Sequence, residues 1–518
     1  MKKSRTVNVI LNMGVSTFTQ MFTLILSFVS RTVFIHTLGA EYLGVNGLFT
    51  NILSVLSFAE LGIGNAIVFS MYKPLAEDNK EKLKSLMDLY RKAYWGIGCF
   101  IAVVGIIIVP FLDVIIKEMP NISENISYIY ILFLSNTVIS YFYVYKNSII
   151  TADQKSYIVT TYTQIFHLIQ NIVQMIFLYL TKNYILYLIV QIVSTVIANY
   201  LIAKKADRMY PYLKEDNINK LSNIEIKSIF NNVKALFLYK FGSVILAGTD
   251  NILISAFIGV KSVGLASNYT LIINSVHNLL KKILSVITAS VGNLNAIESK
   301  EKQEEVFNQL FYISTLIYSF CSIIIMLFTN TFIELWIGKD YILSNGILFT
   351  LVLTFYVMGI NFAAFTYRTT MGLFVEGKHA PLWAAIINIV LSIILSYPLG
   401  LMGIFLATSI ARLLTMCWID PVLLYKLRFK KSSKGYFFKL SIYTLITIIV
   451  YYISRFILSF ISLRGWIGLI IECLIATLVC GIIFLVLSFK TKEFKGIVNR
   501  IKDLSNKLIF KRRKVGND

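Results

Sequence analysis

Of the 518 residues, 57% are hydrophobic and only 15% charged, and the mean hydropathy of +0.71 lies far outside the range of a soluble core, so lipid must solvate most of this surface. The net charge of +22 is spread over the loops between apolar stretches, not gathered on one soluble face with stacking aromatics, which excludes a nucleic-acid binder. The five cysteines all fall in apolar stretches, with no CxxC and no neighbouring His pair, so neither a metal site nor a cofactor is expected.

A bilayer core roughly 30 Å thick needs about 20 apolar residues per helix. The first stretch, Val7 to Leu38, is too long and too poor in small residues to be a removable signal, and it reads as the first permanent span. Further apolar runs predict helices near 44–71, 90–117, 126–151, 156–181 and 183–203, completing a first set of six. After a polar stretch come runs near 231–258, 263–291, 307–336, 341–373, 380–399 and 401–425, then two more near 436–460 and 466–489. The expected architecture is therefore all-α and membrane-integral, with about 14 transmembrane helices. Residues 1–205 would form a six-helix N-terminal lobe, 206–230 a cytoplasmic linker, 231–426 a six-helix C-terminal lobe, 427–489 the two added helices, and 490–518 a basic cytoplasmic tail, either on the inner leaflet or solvated.

Placing both termini in the cytoplasm leaves only Lys117, Lys182, Lys261, Lys339 and Arg464 outside among the loop cations, as the positive-inside rule demands. An internal repeat supports the division. Shifting the chain by 220 residues lays Gly39, Gly44, Thr50, Ile52, Ile63, Ile67, Ser70, Ala76, Lys80, Glu81 and Lys82 on identical residues at 259–302. LGAEYLGVN meets IGVKSVGLA, and AEDNKEK meets AIESKEK. A shift of 222 to 223 brings YKNSIITADQK onto YRTTMGLFVEGK, which makes Lys146 and Arg368 equivalent. A repeat of even span number gives two halves of the same orientation around a central cavity.

Several charges lie where lipid would penalise them by roughly 2.5 to 3.5 kcal/mol per basic residue at a helix centre. Arg31, Lys146, Lys240, His277, Lys281, Lys282, Arg368 and Arg412 are the candidates for a cationic substrate-binding cavity, although Lys146 and Lys240 are close enough to helix ends to snorkel. Asn274, His277, Asn278 and Lys281 recur at i, i+3, i+4, i+7 and share one helix face. Gln164, His167, Gln170, Asn171 and Gln174 form a second polar series on the fifth span; the first four, with Asn274 and Asn278, are candidate glycan contacts, the alternative being hydrogen bonds that join helices. A mainly cationic cavity predicts an anionic substrate such as a pyrophosphate. Glu60 and Asp250 are candidates for cycling a proton or sodium ion, or else partners that neutralise nearby Arg or Lys.

GLFVEGKH at 372–379 has His379 where a phosphate-binding loop needs Ser or Thr, and reads as a helix-ending turn. No loop is long enough for a soluble catalytic or ATPase domain, so no enzyme activity is expected.

The segments RTVFIHTLGAEYLGVNGLF at 31–49 and ELGIGNAIVFSMYKPLAEDNKEK at 60–82 resemble the polysaccharide transporter family, which contains the Wzx-type flippases of the multidrug, oligosaccharidyl-lipid and polysaccharide exporter superfamily. The resemblance implies two six-helix bundles with two extra helices, a cationic cavity and alternating access. It implies as cargo an undecaprenyl-pyrophosphate-linked oligosaccharide repeat unit, flipped from the inner to the outer leaflet of a bacterial cell membrane for capsule or other surface polysaccharide. The expected partners are that lipid-linked oligosaccharide, membrane lipids and a polysaccharide polymerase. The rivals are an ion-coupled multidrug exporter of the same superfamily, with twelve helices and an acidic cavity, and a membrane glycosyltransferase or polymerase, which would carry a large catalytic loop.

Overall fold

The computed structural model describes residues 23–60, 63–215, 221–297, 299–371, 373, 376–461 and 463–498, and no strand occurs among them. Each of the fourteen expected spans is helical through most of its described length. Among the described residues, ten helical segments are long and apolar enough to cross a membrane. Residues such as Leu445, Ile449, Ile467, Leu474, Leu478 and Val486 are exposed, an apolar surface that water would not tolerate. This is a multi-pass, all-helical membrane protein.

The chain divides into two compact units, Met1–Ser267 and Asn268–Asp518. The first holds α1 (Thr23–Leu38), α2 (Ala40–Leu56), α3 (Ile63–Ala76), α4 (Lys80–Ile108), α5 (Ile126–Val144), α6 (Asn147–Ala152), α7 (Ser156–Thr181), α8 (Tyr184–Met209), α9 (Asn223–Phe257) and the start of α10 (Val260–Ile297). Its core forms where Phe49 of α2 meets Tyr130 and Phe133 of α5 edge-on, with centroids 5.2 and 5.8 Å away. Val45 and Leu48 beside it are fully buried.

The second unit holds the rest of α10, α11 (Lys300–Ile337), α12 (Asn345–Ile360), α13 (Phe362–Thr370), α14 (Ala380–Leu399), α15 (Leu401–Leu414), α16 (Met416–Leu424), α17 (Lys434–Leu458) and α18 (Gly465–Ser488). More than half of the apolar window of α11 and of α12 is buried, 56% and 61%, against 11% for α17, so α11 and α12 are the inner helices of this unit. Phe307, Phe311, Tyr367, Tyr425 and Tyr436 make its largest aromatic cluster. Helices α17 and α18 pack on α11 through Ile323, Val450, Cys480 and Phe484, with Thr447 donating to Ser319 at 2.7 Å.

Three helices begin earlier than hydropathy predicts. Helices α4, α9 and α11 start at Lys80, Asn223 and Lys300, not near 90, 231 and 307, because polar caps extend them beyond the apolar part. Asn79 accepts from the Lys82 amide, Ser299 from the Lys302 amide, and Ser222 with Glu225 makes a capping box. Ion pairs from Lys82 to Glu225, and from Lys84 to Glu215 at 2.9 Å, fasten the segment between α8 and α9 onto the start of α4.

The repeat has a structural expression. Gly39 and Gly259 both adopt positive φ, 88° and 135°, where a side chain would be strained. Five residues on, Gly44 and Gly264 let the starts of α2 and α10 cross at backbone contact. A Cβ on Gly44 would collide with the Val260 carbonyl, and one on Gly264 with the Ala40 carbonyl. Ala40 and Val260 are themselves equivalent under the 220-residue shift, so the contact is reciprocal.

Candidate functional site

Within the first unit, the 3-10 turn Ser57–Glu60 interrupts the second span and presents the Glu60 carboxylate to phenols. Tyr94 donates to Oε1, Tyr141 to Oε2 at 3.0 Å, and Tyr90 to the Tyr94 hydroxyl at 3.1 Å. All three rings are buried. No Lys or Arg forms an ion pair with Glu60 among the described residues, so its partners are neutral donors. Asp250 is half-buried on α9.

Arg31, half-buried on α1, donates from Nη1 to the Ser267 hydroxyl at 2.8 Å. Lys146 sits in the two-residue break between α5 and α6, and its Nζ is 2.7 Å from both carboxylate oxygens of Asp207 on α8. The side chain of Lys240 lies outside the described residues.

The polar series on α7 makes mostly internal bonds. Gln164 accepts from Thr23 at 2.8 Å, Asn171 donates to the His167 carbonyl at 2.7 Å, and Gln170 bonds Gln174, which reaches the Tyr187 carbonyl on α8. His167 exposes its ring.

The second unit gathers the denser cation cluster. His277 on α10 bonds the Tyr318 hydroxyl on α11 through Nδ1 at 3.0 Å, and its ring meets Phe355 on α12 edge-on. Lys281, one turn further along α10, and Arg412 of α15 both lie within electrostatic reach of that ring. Asn274, Asn278 and Lys281 share one helix face with His277, and Lys282 is half-buried. Lys281 forms no ion pair among the described residues. Two cations, Lys281 and Arg412, thus lie near an imidazole that is itself bonded to a phenol, a donor set suited to an anion with several oxygens.

Arg368 is placed differently. It lies in the last turn of α13 with 2% of its side chain exposed, its Nε 3.0 Å from Oδ1 of Asp420, whose own exposure is 1%. Asn361, at the break between α12 and α13, donates to the other oxygen at 3.0 Å. Among the described residues no group of His, Cys, Asp and Glu could hold a metal ion.

No family model and no curated sequence matches the chain, but solved structures do. The lipid II flippase MurJ in an inward closed conformation aligns over 91% of this chain and 98% of its own, at 18% identity and a TM-score of 0.63. An inward-facing multidrug resistance MATE family transporter of the MOP superfamily aligns over 78% of this chain and 96% of its own, at 15% identity and a TM-score of 0.61. The MATE multidrug transporter DinF-BH aligns over 82% of this chain and 98% of its own, at 18% identity and a TM-score of 0.58. The chain shares the fold of these flippase and multidrug-transporter structures.

Within that fold, sequence reasoning found the cations but not their partners. Asp420, Tyr94, Tyr141 and Tyr318 carried no signal, because single acids and tyrosines in apolar helices have no periodicity to mark them, and Asp207 fell in the expected linker, beyond the apolar run that the helix Tyr184–Met209 outlasts. Only burial and distance single them out.

Proposed function

We propose that this chain is a flippase that moves an undecaprenyl-pyrophosphate-linked oligosaccharide repeat unit from the inner to the outer leaflet of a bacterial cell membrane by alternating access between two six-helix halves, for capsule or other surface polysaccharide. The observation that carries the reading is that Lys281 and Arg412, from two helices of one membrane-embedded unit, both lie within electrostatic reach of His277, which is bonded to Tyr318. Cations within lipid are costly and commonly mark a substrate path, and a pyrophosphate on a lipid carrier is a dense anion that such cations can bind. Asn274 and Asn278 on the same face suit the hydroxyls of a glycan. Both termini and the basic loops lie in the cytoplasm, and Glu60 or Asp250 cycles the coupling ion.

The test is a knockout with complementation. Loss of the gene is expected to abolish surface polysaccharide and to accumulate lipid-linked repeat units on the cytoplasmic side. Arg412→Ala and Lys281→Ala are each expected to lose complementation at wild-type protein level. Full activity in both variants would remove the cluster from the substrate path.

A second reading, export of organic cations, is favoured by one feature: Glu60 in its cage of phenols offers a carboxylate and aromatic faces together. It predicts a knockout with normal polysaccharide and heightened sensitivity to cationic drugs.

A further inference from the structure

Lys146 and Arg368 are equivalent in the internal repeat, and each binds an aspartate from the last span of its own half: Asp207 on α8, Asp420 on α16. The pairs share a plan and differ in exposure. Lys146 and Asp207 keep 24% and 19% of their side-chain surface, whereas Arg368 and Asp420 keep 2% and 1%. A partly wet pair gains little over its separated ions and can open, because each ion finds water when it lets go. A dry pair cannot open without stranding two charges. The nearby cations Arg91 and Lys92 are both held by Asp88 at 2.6 Å, and Tyr145 stands within electrostatic reach of Arg91, Asp88 and Asp207.

We propose that Asp207 is a positioning residue that occupies Lys146 in place of cargo: it holds the ammonium between cycles and yields it to the pyrophosphate of the lipid carrier. The Arg368–Asp420 pair stays closed and serves as the fixed counterpart in the other half. The inference rests on the flippase reading above. A pyrophosphate brings more charge and more acceptor oxygens than one carboxylate, so it can displace Asp207 from Lys146. The Asp207 carboxylate then turns toward the exposed side of the pair. No covalent bond is made or broken.

The experiment measures undecaprenyl pyrophosphate binding by the full-length protein in lipid nanodiscs, with a melting curve for every variant. Asp207→Asn removes the competing charge and is expected to tighten the apparent Kd roughly threefold or more, because Lys146 no longer has to be released. Lys146→Gln is expected to weaken binding roughly tenfold, and Lys146→Gln/Asp207→Asn to match it. Asp207→Glu, which keeps the charge, should bind as the wild type does and serves if Asp207→Asn melts early. Asp420→Asn should lower the melting temperature without tightening binding.

Equal or weaker binding by a stably folded Asp207→Asn, or tightening by Asp207→Glu, would reduce Asp207 to a structural tie and overturn the inference. A wild-type protein that fails to bind undecaprenyl pyrophosphate would overturn the flippase reading itself, a distinguishable result.

Discussion

With 2% of Arg368 and 1% of Asp420 exposed, removing either partner leaves the other charged group in an apolar interior. Arg368→Ala is expected to cost about 3–5 kcal/mol of stability, whereas the double replacement Arg368→Met/Asp420→Leu should cost much less, a contrast a double-mutant cycle of melting temperatures can measure. Gly377 leaves room for this guanidinium, and a Cβ there would collide with Nη1, so Gly377→Ala should reproduce part of the Arg368→Ala loss. Position in the repeat made both Lys146 and Arg368 visible in the sequence. Their aspartates were not, because Asp207 and Asp420 stand 213 residues apart while the cations stand 222 apart. A fixed shift cannot find partners whose helices have slipped in register.

Helices also carry expectations that single residues do not. The reciprocal crossing of α2 and α10 predicts that Gly44→Ala and Gly264→Ala each destabilise by about 1–3 kcal/mol, since both would press a methyl on a carbonyl of the other helix. Gly96→Ala on α4 meets nothing within 4 Å and should be neutral or slightly stabilising, which makes it the control for melting measurements. At the start of α9 the Lys82 ammonium, with Ser222, holds the Glu225 carboxyl below its ordinary 4.5. A lowered folded value means the stabilisation is full above that ordinary value and fades as pH falls through the lower one. The hydrogen-exchange protection factor in the first turn of α9, measured against the intrinsic rate at each pH, should therefore fall on acidification below about pH 4 and stay constant above about pH 5. The caps behind these starts are legible as Ser or Asn before a polar turn. Hydropathy alone misplaced the starts of α4, α9 and α11, because it marks where lipid begins and not where the helix does.

For the full chain, fourteen helical stretches and the loop cations between them predict one sidedness. In a background lacking the five cysteines, single cysteines at Glu215 and Lys426 should react with an impermeant thiol reagent only from the cytoplasm, and ones at Asn183 and Lys339 only from outside. Reversed labelling would invert the direction proposed for transport. Spacing along the chain was enough to establish the solvent, the helical stretches and the repeat, because all three are written in one dimension, in the order of apolar residues, glycines and loop charges. Packing in three dimensions settled which charges are already spent. It pairs Lys146 with Asp207 and Arg368 with Asp420, surrounds Glu60 with phenols, and brings Lys281 and Arg412 within electrostatic reach of His277. Such pairings depend on helix rotation and register, which shift a side chain by several ångströms without changing any pattern in the sequence.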